Sequence, residues 1–257
     1  MTKRILYIKP THYAAVNEEI QDYLNKYRDP GSQVDVICMP RGPQHLEYLY
    51  YQSIAQLEIL KAVKQAEKKG YDAAVIGCFD DPGLYEAREI CETMCVAGPG
   101  EAAMGIASIL GSCFSIIVGR EKWVPQIRDN ARKYGHADRL ASCQSLGLGV
   151  LDFQRDHAET AKRMRQACEK ALLEDKAEVI ILGCTMEFGF FAELQQEFQV
   201  PILDAMLCSL KQAEFLADLH QQMDWYTSKA GAFATPPKGE IKEWQLAQDY
   251  DLGDIWD

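Results

Sequence analysis

Two cysteines occupy the same local setting in this chain: residues 76–83 read IGCFDDPG and residues 182–189 read LGCTMEFG. Each Gly-Cys pair follows an apolar run suited to a buried strand, Ala73-Ala74-Val75-Ile76 and Val179-Ile180-Ile181-Leu182, and each precedes apolar residues at helical spacing. Cys78 and Cys184 are therefore expected at the carboxyl ends of strands. In open parallel α/β sheets this is the edge that binds ligands, because its loops are free of the core and the next helix offers unpaired N–H groups. Two thiols facing each other across a cleft can remove a proton from one face of an acidic carbon and deliver another to the opposite face. A helix N-terminus would lower the pKa of one thiol, making it the base, while its partner stays protonated as the acid. Repulsion between two thiolates disfavours ionising both. Such a pair inverts a stereocentre without a cofactor. The competing reading is packing, since cysteine is among the most often buried residues. The other seven of the nine cysteines are assigned to that role, and the C-x3-C spacing of Cys91 and Cys95 matches neither a zinc nor a redox motif.

The elements that must position these thiols alternate between strand-like runs and helical patterns, the signature of parallel sheets with crossover helices. Strands are predicted at Arg4 to Ile8, Gln33 to Met39, Ala73 to Gly77, Met94 to Ala97, Phe114 to Val118, Leu140 to Gln144, Glu178 to Gly183 and Pro201 to Leu203. The first four and last four correspond in order: Cys78 and Cys184 lie 106 positions apart, as do Val96 and Ile202. The expected fold is α/β with two pseudo-symmetric lobes, each a four-stranded, mainly parallel sheet flanked by helices, and the active site in the cleft between them. Long helices are predicted at Tyr50 to Lys69 and His157 to Leu173, and Pro82 after Asp80-Asp81 reads as a helix start. Residues 1–99 are assigned to the first lobe together with a return helix over 206–223, residues 100–205 to the second lobe, and residues 224–257 to an irregular, aromatic-rich extension.

The 257 residues, 47% hydrophobic, suffice for a substantial core. The opening MTKRILYIKP is too short in apolar residues for a signal peptide, and no run approaches a membrane span. With nine cysteines in no compact framework, the expectation is a cytoplasmic protein with free thiols. A formal charge of −11 argues against nucleic acid or an anionic membrane as partner. GPGEAAMG at 98–105 is neither G-x-G-x-x-G nor a P-loop, and the five histidines lack metal-ligand spacing, so neither nucleotide, metal nor cofactor is expected.

Three stretches, GCFDDPGLYEARE at 77–89, GPGEAAMG at 98–105 and GCTMEFG at 183–189, resemble the aspartate/glutamate/hydantoin racemase superfamily, and most of all its hydantoin racemase branch. GPQHLE at 42–47 and VPQIRDNARKYG at 124–135 are weaker matches, and together the likeness covers residues 4 to about 219. The resemblance implies a cofactor-independent racemase with Cys78 and Cys184 as the catalytic pair, acting on a small molecule, most plausibly a hydantoin or related cyclic ureide; a homo-oligomer is also expected, with the tail aromatics packing across the lobe or on a sister subunit. By position it implies substrate contacts from Pro10, Thr11, Gly42, Pro43, Phe79, Val118, Gly119, Arg120 and Thr185. The chain also departs from the family. The usual Asn-Pro-Asn-Thr-Ser turn is Lys9-Pro10-Thr11-His12-Tyr13, a common Thr-Thr becomes Val118-Gly119-Arg120, and Thr185-Met186-Glu187 is closer to the amino-acid racemases. Alternatives are an aspartate- or glutamate-type racemase, a lyase or cis-trans isomerase of the same scaffold, and a small-molecule-binding accessory protein.

Overall fold

The structure, a computed structural model, describes residues 2–253, 255 and 256. Among the described residues, eight strands form two separate sheets of four. The first contains β1 (Lys3–Lys9), β2 (Ser32–Cys38), β3 (Ala73–Ile76) and β4 (Cys95–Ala97), in the order β2-β1-β3-β4. The second contains β5 (Phe114–Val118), β6 (Leu140–Ser145), β7 (Val179–Leu182) and β8 (Ile202–Asp204), in the equivalent order β6-β5-β7-β8. Every pairing is parallel. Strands β3, β5 and β7 are fully buried and apolar except for Ser115, as a sheet covered on both faces requires.

Helices make the crossovers. In the first lobe these are α1 (Asn17–Tyr27), α2 (Leu49–Lys68) and α3 (Leu84–Ile90), and then α4 (Pro99–Leu110) leads into the second sheet. The second lobe adds α5 (Val124–Lys133), α6 (His157–Leu173) and α7 (Phe191–Phe198). After β8 the chain enters α8 (Ala205–Met223), which buries Met206, Leu210, Ala213 and Ala217 against Ile5, Tyr7, Val75 and Ala97 of the first sheet. Asp204 starts this helix by accepting from the amides of Met206 and Leu207, at 2.9 and 3.1 Å.

The C-terminal extension is more ordered than its composition suggests. It carries two short helices, α9 (Lys238–Glu243) and α10 (Leu246–Asp249), and buries Ile241, Leu252 and Ile255. It lies on the first lobe: Phe233 packs edge-on against Tyr85 of α3, and the Trp256 ring lies beneath the Lys64 ammonium of α2. Trp225, Trp244 and Tyr250 remain exposed.

Candidate active site

Each cysteine owes its place to the glycine before it. The Gly77 amide donates to Ile8 O at 2.8 Å and the Gly183 amide to Ile117 O at 2.7 Å, extending β3 and β7 by one equivalent bond each. A Cβ on Gly77 would lie 2.6 Å from the Tyr7 ring, and one on Gly183 would lie 2.5 Å from Ile116 Cγ2 and 2.6 Å from Ile117 O. Only a residue without a side chain lets each strand end so close to its neighbour, which is why an apolar strand ends in Gly-Cys twice.

Cys78 and Cys184 line one cavity at the facing strand ends. Phe79 and Asp80 follow Cys78 into its wall, and Thr185 and Met186 follow Cys184. The Thr185 hydroxyl crosses between lobes to donate to Gly77 O at 3.1 Å. From β1 and the turn after it come Tyr7, Lys9, Pro10, Thr11 and Tyr13, while Trp123, Val150 and Leu151 close the second-lobe side. The roof is Gln44, His45, Leu46 and Glu47. Glu47 fastens it to the other lobe: one carboxylate oxygen accepts from the Val150 amide at 2.6 Å, the other from Arg120 Nη1 at 2.9 Å.

Of the residues the resemblance points to, Pro10, Thr11, Cys78, Phe79, Cys184 and Thr185 share this cavity; Gly42, Pro43, Val118, Gly119 and Arg120 do not line it. Val118 is wholly buried in the second-lobe core, and Gly119 is packed against Leu148 O and the rings of Phe153 and Trp123. Arg120 is drawn away to Glu47, leaving its side chain 41% exposed. Gly42 is exposed and Pro43 half-buried, with its carbonyl accepting from the His12 amide at 2.8 Å, so the loop's contribution comes instead from the four residues that follow. His12 turns its Nδ1 to Met39 O, at 2.9 Å, while His45 faces the cavity.

The electrostatics differ from the sequence expectation. Burial pushes the Cys78 thiol well up; the Asp80 charge adds to this, and the Asp80 amide, donating to the sulfur, offsets part of it. Burial likewise pushes Cys184 well up, with the Glu187 charge next and the Met186 amide as the counterpart donor. No helix N-terminus lowers either thiol: α3 begins only at Leu84, and Cys184 leads into a single 3-10 turn. Asp80 is pushed up to about 6 by burial, against the Gln52 bond that lowers it. Lys9 is lowered by burial, and two of its protons go to Tyr13 O and Asn17 Oδ1. Among the described residues, no group of His, Cys, Asp and Glu could hold a metal ion, and no helix is long and apolar enough to cross a membrane.

Two duplicated parallel sheets in the same strand order, meeting over a cavity at their carboxyl edges, place the protein among the two-lobe α/β racemases. Residues 5–213 match the family described as Asp/Glu/Hydantoin racemase, and the chain belongs to that family. It is a racemase, an isomerase in class. It is 33% identical over 234 residues to the hydantoin racemase of Paenarthrobacter aurescens, covering 91% of this chain and 97% of that one. The hydantoin racemase of Pseudomonas sp. (strain NS671) is 30% identical, covering 92% and 93%. Among solved structures, the allantoin racemase from Klebsiella pneumoniae superposes with a TM-score of 0.86 at 30% identity, covering 92% of this chain and 94% of that one.

Proposed function

We propose that the protein racemises a hydantoin or related cyclic ureide by two-base proton transfer between Cys78 and Cys184. The observation that carries this reading is the placement of one thiol from each equivalent loop in a single cavity. One sulfur is a thiolate and the other a thiol in the reactive state. The thiolate takes the proton from the ring carbon beside the carbonyl, and the resulting enolate accepts a proton on its opposite face from the thiol. The reaction conserves charge and leaves the thiolate on the other cysteine. A carbon approached from both faces at about 3.5 Å requires sulfurs about 7 Å apart. The remaining Lys9 proton is suited to the oxygen on which the enolate charge develops.

Burial keeps both thiols neutral in the free protein, so the productive singly ionised pair becomes more populated as pH rises, and activity is expected to climb on the alkaline side of neutrality. Substrate choice follows the relatives that match most of the chain, which are hydantoin and allantoin racemases. Decay of optical rotation, measured with single enantiomers of 5-substituted hydantoins, allantoin, aspartate and glutamate in deuterated water, tests both points. Loss of rotation with deuterium entering the stereocentre of a ureide is expected; turnover confined to the amino acids would replace the substrate class. Nine cysteines without a disulfide are in keeping with a reducing, cytoplasmic setting. Sizing in solution checks the homo-oligomer.

A further inference from the structure

The wall beside Cys78 carries a carboxylate for which the two-thiol chemistry has no use. Asp80 lines the cavity, and its Oδ2 accepts from Gln52 Nε2 at 2.8 Å. Gln52 is itself held: its Nε2 also reaches Leu46 O, and its Oε1 accepts from Gln126 Nε2 of the second lobe at 2.9 Å. The Asp80 carbonyl accepts from Asn130 Nδ2 at 3.0 Å, so backbone and side chain are both locked. Among the described residues none donates a hydrogen bond to Oδ1, and this oxygen is not fully enclosed, so on the cavity wall it is free to meet a ligand. The equivalent position on the other loop is Met186, a thioether with no comparable acceptor. Two residues beyond the sulfur, the cavity wall thus carries a carboxylate on the Cys78 loop and a thioether on the Cys184 loop.

An acceptor-only oxygen in a confined site asks for a donor, and a substrate carboxylate placed there would meet like charge. Resting on the cyclic-ureide reading above, we propose that Asp80 is a specificity-determining residue that accepts a hydrogen bond from a ring N–H of the substrate and disfavours ring-opened, carboxylate-bearing relatives of the same molecule. The orientation follows: the N–H edge of the ring faces Asp80, and the apolar substituent faces Met186 and Ile20.

The test is binding by calorimetry to the full chain, using hydantoin, 1-methylhydantoin, 3-methylhydantoin and N-carbamoylglycine as probes. A charge-assisted hydrogen bond lost to a methyl group should cost the parent protein about ten- to hundred-fold in affinity at one of the two nitrogens. In Asp80→Asn, which keeps size and can keep the Gln52 contact, that discrimination should fall to within about threefold, and N-carbamoylglycine should bind more tightly than it does to the parent. Asp80→Ala should behave the same way. A parent protein indifferent to both methyl groups overturns the proposal, and this arm stands even if a variant does not fold. Variants that keep the parent's discrimination also overturn it. A parent protein that binds none of the ureides removes the substrate reading, and the role of Asp80 with it.

Discussion

The two cysteine loops have the same backbone plan and different chemistry. In each, the residue two places after the cysteine donates its amide to the sulfur and offers its carbonyl to a side-chain amide of the second lobe. Asp80 O takes Asn130 and Met186 O takes Gln154. In each, the fifth residue after the cysteine is a glycine in the left-handed region, Gly83 at φ 73° and Gly189 at φ 90°. The third residue after the cysteine is acidic in both, and here the loops part. Asp81 accepts from the amides of Gly100 and Glu101, at 3.0 and 2.8 Å, and from the Tyr134 hydroxyl at 2.8 Å, tying the first loop to the start of α4 and to α5. Glu187 is equally buried, but only amides of its own loop, those of Gly183 and Cys184, turn toward its carboxyl, and nothing outside the loop bonds it. The duplicated fold preserves what holds the sulfur and lets the side chains around it diverge.

The most severe way to break this comparison is to remove one sulfur at a time. Cys78→Ser and Cys184→Ser should each lower racemisation by about 10³-fold or more, because a hydroxyl is too weak an acid to replace a thiol. Each variant should still exchange the stereocentre hydrogen of one enantiomer with deuterium, and the two variants should prefer opposite enantiomers. Proton NMR of each pure enantiomer in deuterated water reads this; racemisation at the parent rate in either variant would defeat the two-base reading.

The acidic pair offers the next largest contrast. Asp81→Ala should destabilise the fold by about 3 kcal/mol, since it strands two helix amides and the partly buried Tyr134 hydroxyl. Glu187→Met should instead stabilise it by about 1 kcal/mol, because it removes a fully buried carboxyl that is met only by amides of its own loop. The sign reverses with position in one motif, and chemical denaturation of the two variants shows it. Burial also pushes the Glu187 carboxyl well above its usual range, so the folded state holds a proton that the unfolded chain releases above about pH 4.3. Stability from the neutral acid is therefore present below that pH and is lost as pH rises, and the advantage of Glu187→Met should grow from about pH 4 to 7. The smallest effect is expected at the end of β5. Because Arg120 stands outside the cavity and is partly exposed, Arg120→Ala should change kcat/KM by less than about fivefold.

The fold was legible because its signals are local. Apolar runs of strand length, each followed by a helical period, place all eight strands, and the common offset of 106 residues exposes the duplication. The equivalent placement of the two cysteines at strand ends was legible because Gly-Cys recurs in the same context. The cavity roof was not. Glu47 belongs to it because its carboxylate meets the Val150 amide, 103 residues away, and nothing in GPQHLE announces such a partner. The setting of Arg120 was not legible for a related reason: β1 and β5 are equivalent strands, but Lys9-Pro10-Thr11 faces the cavity, while Arg120 pairs with the same Glu47. The thiol pKa shifts were misread because loop position suggests a helix dipole, whereas enclosure of the cavity sets the direction.

The unlike chemistry of the two loops meets a limit set by the substrate itself. Mirror-image forms of one small molecule have equal free energy in water, so the equilibrium constant between them is one whatever surrounds the reacting carbon. The ratio of kcat to KM must then be the same in both directions. Asp80 beside Cys78 and Met186 beside Cys184 can hold one hand of the substrate more tightly than the other, but the hand bound more tightly must also turn over more slowly, in the same proportion.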